Sequence, residues 1–413
     1  MSKNIILNKT KNFNKIAIVL AFPFDYNQNT LAAATMLPCV INYMTKKYPS
    51  EEKFSKAKLE NFILKLSCDI DHITTSGLCI FTLTIPDPKI LQINKLKEQI
   101  ELLYEFIYHP YVVNQGFDKT MLEREKNILN TNLKNSLQNL RGYINSTLPN
   151  LIDKEGLYHE LSLYNNIEKL NNINEKDIYK FYKDTIYNTN PYIFVTGNTK
   201  NTQIISLLNQ KFNSKDKKLR SFKNNFNHFL SPNPEQKITE IKNFKQSAVV
   251  LIYKIQNMQN KDKRYLTITK NILTANVTHL LFNELRTKEG LVYHTYASAN
   301  TSYGILEIFA FIDADKTDRT INKIKEVMHQ LTNIKNLQNY LELLKKDYKV
   351  FLNEEKDYFN SLVNEKIDTY FKINSKHKTI YKKLLHTRPK NLLKFIKRLH
   401  LETIYCIKEE END

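Results

Sequence analysis

The chain has 413 residues, of which 25% are charged and 41% hydrophobic, and it contains only 7 Gly and 11 Pro. This composition excludes long low-complexity regions and supplies apolar mass for about two to four domain-sized cores. The net charge of +18 is spread along the sequence and is not gathered in a tail. It favours a solvated basic surface or attraction of an acidic peptide, and nucleic-acid binding is the weakest of the three alternatives.

The opening segment and the cysteines predict a cytoplasmic protein. The first apolar run, Ile16–Phe24, is far shorter than the roughly 20 apolar residues of a membrane span, and no signal-peptide pattern accompanies it. The four cysteines have no close paired spacing, which is typical of reduced thiols in a protein core. They are Cys39, Cys68, Cys79 and Cys406.

The first half of the chain is predicted to alternate strands with helices. Its predicted elements are a strand at Lys15–Phe24, helices at Thr30–Lys47 and Ser55–Ser67, two strands within Cys68–Ile85, helices at Asn94–Tyr108, Phe117–Asn139, Arg141–Lys154 and Glu175–Tyr187, and a strand at Pro191–Gly197. Thr30 is the expected N-cap of its helix because a hydroxyl accepts backbone N–H bonds there. Pro38 is expected to kink or break the same helix.

The second half is predicted to repeat this order. Its elements are a strand at Ser247–Ile255, a helix at Lys261–Arg286, strands at Leu291–Ala299 and Gly304–Asp313, helices at Asp315–Leu331, Leu337–Ile367 and Pro389–Leu399, and a strand at Leu401–Ile407. Asp315 is the expected N-cap of its helix. The repeat unit is about 200 residues, too long for a solenoid, whose repeats span about 20–50 residues.

Duplication of a whole domain therefore explains the repeat. Hairpin strands beside helices predict an α+β fold of two homologous halves, each a mostly antiparallel sheet covered by helices. The predicted domains are residues 1–212 and 246–413. A polar linker at 213–245, containing Pro232 and Pro234, joins them.

The most informative stretch is LFNELRTKEGLVYHTYAS, Leu281–Ser298. A helical run ends at a charged turn with Gly290, which accepts a positive φ without a steric penalty, and a β-rich segment follows at once. The pattern (hydrophobic)-x-x-LR-x-x-x-GL-x-Y resembles the insulinase/pitrilysin-like zinc peptidases. The chain length is similar to their short branch, which includes the mitochondrial processing peptidases. Segments at Tyr108–Leu129 and Ile173–Asn198 are also similar to the family, so the resemblance covers nearly the whole chain.

The resemblance implies that the two halves form a clam shell around a peptide-sized chamber. It also implies that Arg286 and Tyr293 match the residues with which the family's C-terminal half holds its substrate. An arginine can donate two hydrogen bonds to a carbonyl or carboxylate, and a tyrosine can stabilise an oxyanion. The alternative is that Arg286 only ends its helix, where a cation stabilises the dipole, and that Tyr293 is a packed strand residue.

The zinc motif of the family is missing. Active members carry His-x-x-Glu-His on an early helix, with a further Glu ligand from a later helix. Here the early helix contains no His, Asp or Glu, and the aligned stretch is Leu37–Ile41 within one or two residues. On the later helix, Glu125 matches a conserved Glu, but the ligand position seven residues on is Asn132, a poor zinc ligand. We therefore expect no metal, no cofactor and no catalytic residue in this chain.

The resemblance then implies a non-catalytic, substrate-binding subunit of a heterodimeric zinc endopeptidase. Zinc would lie in a homologous partner, whose active site Arg286 and Tyr293 would complete. The segment LPCVINYMTKKYPS is similar to the zinc-less subunits of bacterial pairs, whose roles include trimming leader peptides from ribosomally made peptides such as bacteriocins. The alternative is a stand-alone peptide-binding scaffold without any proteolytic role. An enzyme acting alone is the reading that the sequence disfavours most.

Overall fold

The fold is built on strands that are apolar throughout, of which Lys15–Asp25 is the first long example. Every residue from Ile16 to Phe24 is buried, as expected for a strand with covered faces on both sides. The structure, a computed structural model, describes residues 4–410 except 12, 92–93, 199–201, 224–225, 276–278, 352–354 and 374–383.

Two sheets of five strands organise the described residues. The first contains β1 (Ile5–Lys9), β2 (Lys15–Asp25), β3 (Lys65–Ile73), β4 (Ser76–Pro86) and β5 (Tyr192–Gly197), in the order β1-β5-β2-β4-β3. The second contains β6 (Gln236–Lys242), β7 (Ser247–Ile255), β8 (His294–Asn300), β9 (Ile305–Ile312) and β10 (Leu399–Glu409), in the order β6-β10-β7-β9-β8.

The two sheets have the same topology. In each, the first strand runs parallel to the last, and every other neighbour pair is antiparallel. This confirms the predicted α+β class with two similar, mostly antiparallel sheets. The edge strands β1 and β6 were not predicted, and β6 lies inside the stretch expected to be a linker.

Each sheet belongs to one compact unit, and each unit takes a segment from the other half of the sequence. The first unit comprises Met1–Leu133, Glu160–Phe226 and Phe359–Ser375. The second comprises Lys134–His159, Asn227–Tyr358 and Lys376–Asp413. The predicted limits at 212 and 245 stay a prediction, as does the clam-shell arrangement.

Helices cover both sheets. Those of the first half of the sequence are Leu31–Ile41, Glu51–Glu60, Pro88–Leu91, Leu96–Tyr108, Lys119–Leu137, Leu140–Asp153, Leu157–Glu160, Ile167–Asn172, Glu175–Tyr182 with a π-helical turn at Lys183–Tyr187, and Thr202–Phe212. Those of the second half are Lys263–Thr274, Leu280–Phe282 with a π-helical turn at Asn283–Lys288, Thr317–Gln330, Ile334–Phe351, Glu355–Tyr370 and Pro389–Ile396. Among these described helices, none is both long and apolar enough to cross a membrane.

The first predicted helix is shorter than expected. It runs from Leu31 to Ile41 and continues through Pro38, so Pro38 does not break it. Thr30 makes no side-chain cap; its hydroxyl instead donates to the carbonyl oxygen of Asp25 at 2.7 Å.

The second helix begins and ends earlier in the sequence than the predicted Ser55–Ser67. It is Glu51–Glu60, and Ser50 caps it by accepting a hydrogen bond from the Lys53 amide at 3.2 Å. Strand β3 therefore begins at Lys65, three residues before the predicted start at Cys68. Leu66 and Cys68 are buried on one face of β3, a period of two that a helix does not produce.

Three predictions in the second half need correction. The single helix expected at Lys261–Arg286 is two helical segments, with 276–278 outside the described residues. The strand expected from Leu291 begins at His294. The helix expected from Asp315 begins at Thr317, after a 3-10 turn at Ala314–Lys316. The helix expected at Leu337–Ile367 spans 352–354, which lie outside the described residues.

The helix Leu140–Asp153 packs on one face of the second sheet, and Lys254 of β7, which forms a buried ion pair with Glu402 of β10, is bonded to it. Lys254 and Glu402 lie 2.7 Å apart with side chains 2% exposed. The Lys254 ammonium also donates to the carbonyl oxygen of Ile152 at 2.9 Å, and Glu402 accepts from the amide of Asn233 at 2.7 Å. The added hydrogen bonds offset part of the desolvation cost of burying both charges.

Candidate functional site

The face of helix Leu31–Ile41 that is not packed in the core carries Thr35, Pro38 and Cys39. Their spacing of i, i+3 and i+4 places them on one side of a helix, and His-x-x-Glu-His spaces its three functional residues in the same way. Within the predicted stretch Leu37–Ile41, by contrast, Leu37 and Ile41 are 0% exposed. The half-exposed positions that have the spacing of the zinc motif are 35, 38 and 39, which begin two residues before the predicted stretch and lie within its stated register range.

None of these three side chains suits a zinc ion. The Thr35 hydroxyl donates to the carbonyl oxygen of Leu31 at 2.8 Å, and Pro38 has no side-chain donor or acceptor. Burial raises the pKa of the Cys39 thiol, and the nearby Glu125 carboxylate raises it further. Burial and the nearby carboxylate therefore disfavour the thiolate, which is the form that binds a metal ion.

The carboxylate beside this helix face is Glu125. It lies on helix Lys119–Leu137 with its side chain 8% exposed, and Arg124 pairs with it at 3.0 Å. Arg124 also pairs with Glu51 at 2.6 Å, so its cation is shared between two carboxylates. Asn132, the predicted counterpart of the ligand Glu, is exposed.

This donor set does not fit the zinc ion that active members of the resembled family carry. A protonated thiol, a threonine hydroxyl engaged by the backbone and a carboxylate paired with arginine leave no set of free anionic or imidazole ligands. Across the residues that the structure describes, no group of three or more His, Cys, Asp and Glu side chains could hold a metal ion. We derive no metal-dependent step for this chain.

The second unit holds the other predicted site residues, and the turn around Gly290 positions them. Gly290 has φ of +62°, and its amide donates to the carbonyl oxygen of Arg286 at 3.0 Å. The Leu291 amide then donates to the carbonyl oxygen of Leu285 at 2.8 Å. A Cβ added at Gly290 would meet nothing within 4 Å, so the positive φ alone favours glycine there.

The structure brings Arg286 and Tyr293 together through the backbone. Nη1 of Arg286 donates to the carbonyl oxygen of Tyr293 at 2.7 Å. The Tyr293 hydroxyl donates to Oδ1 of Asp313 at 2.6 Å, and Lys316 pairs with Oδ2 of the same carboxylate at 2.8 Å. Both predicted residues are exposed, and the Tyr293 side chain points its hydroxyl at Asp313.

The electrostatics keep the Tyr293 phenol neutral. The hydrogen bond to Asp313 raises the pKa of Tyr293, and the Asp313 charge adds to that effect. Lys316, followed by the Tyr293 hydroxyl, lowers the pKa of Asp313. Tyr293 is therefore a hydrogen-bond donor and Asp313 an ionised acceptor at neutral pH.

Sequence reasoning missed the neighbours of this pair. His294 is exposed, and its pKa is lowered by partial burial and then by the charges of Arg141, His279 and Arg286. The guanidinium of Arg141 lies 4.8 Å from the ring centroid of Tyr296. His294 follows Tyr293 directly, so its position was a usable signal. Arg141 comes from the first half of the sequence, and no local pattern connects it with this loop.

The chain is similar in sequence to a known protein family and to one curated protein. Residues 172–346 match the family model described as "Peptidase M16 inactive domain". The "Probable inactive metalloprotease YmfF" of Bacillus subtilis (strain 168) is 20% identical over 328 residues, covering 79% of this chain and 76% of the relative.

Solved structures share the whole fold. The crystal structure of a conserved protein from Enterococcus faecalis V583 is similar with a TM-score of 0.82 and 18% identity, over 99% of this chain and 97% of that one. The crystal structure of a peptidase M16 inactive domain from Pseudomonas fluorescens has a TM-score of 0.72 and 11% identity, over 99% of this chain and 96% of that one. At these identities the structures show a common fold alone.

Proposed function

Because this chain belongs to the insulinase-like M16 peptidase family as one of its inactive, non-catalytic members, we propose that it is the substrate-binding subunit of a heterodimeric zinc endopeptidase. Its partner would be a homologous chain that carries the zinc ligands. Arg286 and Tyr293 would hold the substrate peptide and complete the partner's active site. The substrate would be a peptide, of which the leader of a ribosomally made peptide or bacteriocin is one candidate.

One observation carries this proposal, the contrast between the two sites. The helix face that corresponds to the zinc motif has lost every ligand, with Thr35, Pro38 and Cys39 at the three positions. Arg286 and Tyr293 are instead exposed, and each forms a hydrogen bond, Arg286 to the Tyr293 carbonyl oxygen and Tyr293 to Asp313. These two exposed side chains are therefore the part of the chain that we propose to contact the peptide.

The cytoplasm is the compartment that we propose for this function. All four cysteines are free. Sγ of Cys68 and Sγ of Cys79 lie 3.6 Å apart without a bond between them, although both side chains are fully buried and adjacent. Such a pair of thiols fits a reducing compartment.

The test is a peptide-cleavage assay with the M16 homologue encoded beside this chain, which should contain His-x-x-Glu-His. The mixture should cleave a peptide that neither chain cleaves alone, and Arg286→Ala with Tyr293→Phe should abolish that gain. Arg388→Ala with Tyr187→Phe is the control, because Tyr187 is 47% exposed, close to the 49% of Tyr293. If the partner alone is equally active, or if the test variant behaves as the control does, the subunit proposal is wrong.

A stand-alone peptide-binding scaffold is the second candidate function. The bonds that position Arg286 and Tyr293 all come from the second unit of this chain, so the loop needs no partner to be formed. In that case the purified chain binds a peptide without a zinc-bearing homologue and shows no association with one by light scattering. Association with the homologue would favour the subunit instead.

A further inference from the structure

Three cationic or basic side chains converge beside the Arg286–Tyr293 loop, although they come from distant parts of the sequence. They are Arg141 from the start of helix Leu140–Asp153, Arg286 from the π-helical turn, and His294 from the start of β8. All three are exposed. The ring centroid of His294 lies 5.6 Å from that of Tyr296, which Arg141 also contacts, and the backbone of the preceding residue, Tyr293, accepts a hydrogen bond from Arg286. Partial burial lowers the pKa of His294, and the charges of Arg141, His279 and Arg286 lower it further.

Aromatic rings hold the two guanidinium groups in place. Arg141 lies 4.8 Å above the centroid of Tyr296, which stacks on Phe309 at 4.4 Å. Arg286 lies 5.3 Å above the centroid of Phe282. A guanidinium attracted to an aromatic ring loses part of its side-chain freedom and can still donate its remaining N–H groups to an anion. The arrangement therefore presents oriented donors with little further loss of side-chain freedom.

The protein does not neutralise this cluster. Within the described part of the chain, no carboxylate lies at ion-pair distance from Arg141, Arg286 or His294. Asp313 is already paired with Lys316 at 2.8 Å. The charge of Glu307 raises the pKa of Tyr296, but the Glu307 side chain is itself buried. Burial raises the pKa of Glu307 to about 7, so this carboxyl carries only a partial charge near neutral pH.

We propose that Arg141, Arg286 and His294 form a subsite that binds a carboxylate of the peptide, and that this subsite makes the chain prefer acidic peptides. The inference rests on the proposed peptide-binding function and adds Arg141 and His294 as specificity-determining residues. The carboxylate can belong to an Asp or Glu side chain or to the C-terminus of the peptide, since the donors recognise the same group in both. Arg286 would then contact the anion with the N–H groups that Tyr293 O does not occupy.

The probes are three synthetic peptides of equal length and otherwise identical neutral sequence, titrated into the purified full chain by calorimetry. The first has a central Glu and an amidated C-terminus, the second has Gln in its place, and the third is the Gln peptide with a free C-terminal carboxylate. We expect the Glu peptide or the free-acid peptide to bind about tenfold more tightly than the amidated Gln peptide at low salt. The difference should shrink at high salt, because exposed charges are screened.

The variants assign that difference to the cluster. Arg141→Gln with His294→Gln should bring the three peptides to within about twofold of one another. Arg141→Lys with native His294 should keep part of the preference, because the charge remains. Arg388→Gln with His386→Gln, which removes an exposed Arg and an exposed His elsewhere in the second unit, should leave the preference intact.

The outcomes separate this inference from the function on which it rests. Equal affinity for all three peptides, or a preference that survives in Arg141→Gln with His294→Gln, overturns the subsite but leaves peptide binding in place. Binding of none of the three overturns both. A preference that an oligo-dT competitor removes at the same residues assigns the cluster to phosphate and also overturns the proposal.

Discussion

The Arg286 side chain binds the backbone of Tyr293 and not its ring. Nη1 of Arg286 donates to the carbonyl oxygen of Tyr293 at 2.7 Å, whereas the hydroxyl of Tyr293 donates to Asp313 at 2.6 Å. The two residues that the sequence motif links are therefore one structural unit with two separable contacts. Removing the arginine frees the carbonyl, whereas removing the hydroxyl frees only Asp313. Single substitutions can distinguish these contributions.

The first prediction concerns that difference. Arg286→Ala should weaken binding of the Glu peptide by about tenfold or more, because a charge-assisted donor is lost and the loop carbonyl loses its partner. Tyr293→Phe should weaken it by only about threefold, because its hydroxyl already serves Asp313 and the ring remains. Calorimetric titration of both variants measures this. An equal loss in the two would show that the phenol itself contacts the peptide.

The second prediction concerns the buried carboxyl of Glu307, whose pKa burial raises from 4.5 to about 7. The folded state holds this proton more tightly than the unfolded state does. The associated stability is fully present below about pH 4.5 and is lost as the pH rises through about 7, because the unfolded state then ionises freely. Above about pH 7, this raised pKa lowers the free energy of unfolding by about 3 kcal/mol relative to its value below pH 4.5.

Glu307→Gln should therefore unfold at higher urea concentration than the native chain at pH 8, and the two should converge towards pH 4.5. Urea titrations at several pH values measure the difference. Glu155→Gln, at an exposed position of the second unit, is the control and should leave the pH dependence unchanged. A pH profile of Glu307→Gln that parallels the native one would contradict the assignment.

The third prediction concerns the buried pair of Lys254 and Glu402. Lys254→Met should lower the free energy of unfolding by about 3–5 kcal/mol, because it leaves Glu402 buried and unpaired. Lys254→Met with Glu402→Leu should recover most of the loss, since no isolated charge remains. Chemical denaturation of the single and double variants measures this. If the double variant is as unstable as the single one, the pair is not isolated and the bonds to Ile152 and Asn233 dominate.

The fourth prediction tests the register of the lost motif. In an Asn132→Glu background, which restores the third ligand position, Thr35→His with Pro38→Glu and Cys39→His should stay folded and bind zinc, because these three positions share the half-exposed face near Glu125. Leu37→His with Val40→Glu and Ile41→His should unfold the chain, because these side chains are 0%, 5% and 0% exposed.

Metal analysis and melting temperature of the two triple variants decide the register. Thr35→Ser with Cys39→Ser is a control that keeps both positions small and polar and should bind no zinc. Stoichiometric zinc in the Leu37→His, Val40→Glu, Ile41→His variant would place the motif at Leu37–Ile41. Unfolding of the Thr35→His, Pro38→Glu, Cys39→His variant would contradict the register at 35, 38 and 39.

Local signals in the sequence were sufficient for many elements. The uninterrupted apolar run Ile16–Phe24 predicted a buried strand because only a strand covered on both faces tolerates it. Gly290 predicted the end of a helix, and its φ of +62° agrees. The loss of zinc ligands required only the absence of His, Asp and Glu from one helix, since residue type decides that chemistry.

Local sequence patterns did not predict the pairing of the edge strands β1 and β6 or the buried face of the first helix. Strands β1 and β6 are short and pair in parallel with β5 and β10, far along the chain, so their partners leave no local pattern. The register of the first helix depended on which face met the core. In a helix as apolar as LAAATMLPCVI, hydrophobic periodicity does not distinguish the faces.

The sequence by itself determined the repeated α+β order, the motif that resembles a zinc-peptidase family, and the absence of His, Asp and Glu from the early helix. Residue types, apolar periods and turn chemistry are local, and they survive in a single sequence. Only the tertiary structure decided that Arg141 lies 4.8 Å from the ring centroid of Tyr296, on the strand that begins at His294, because the contact spans more than a hundred residues of chain. Long-range contacts form when whole helices and strands pack together, and the residues next to each contact in sequence carry no pattern that predicts it.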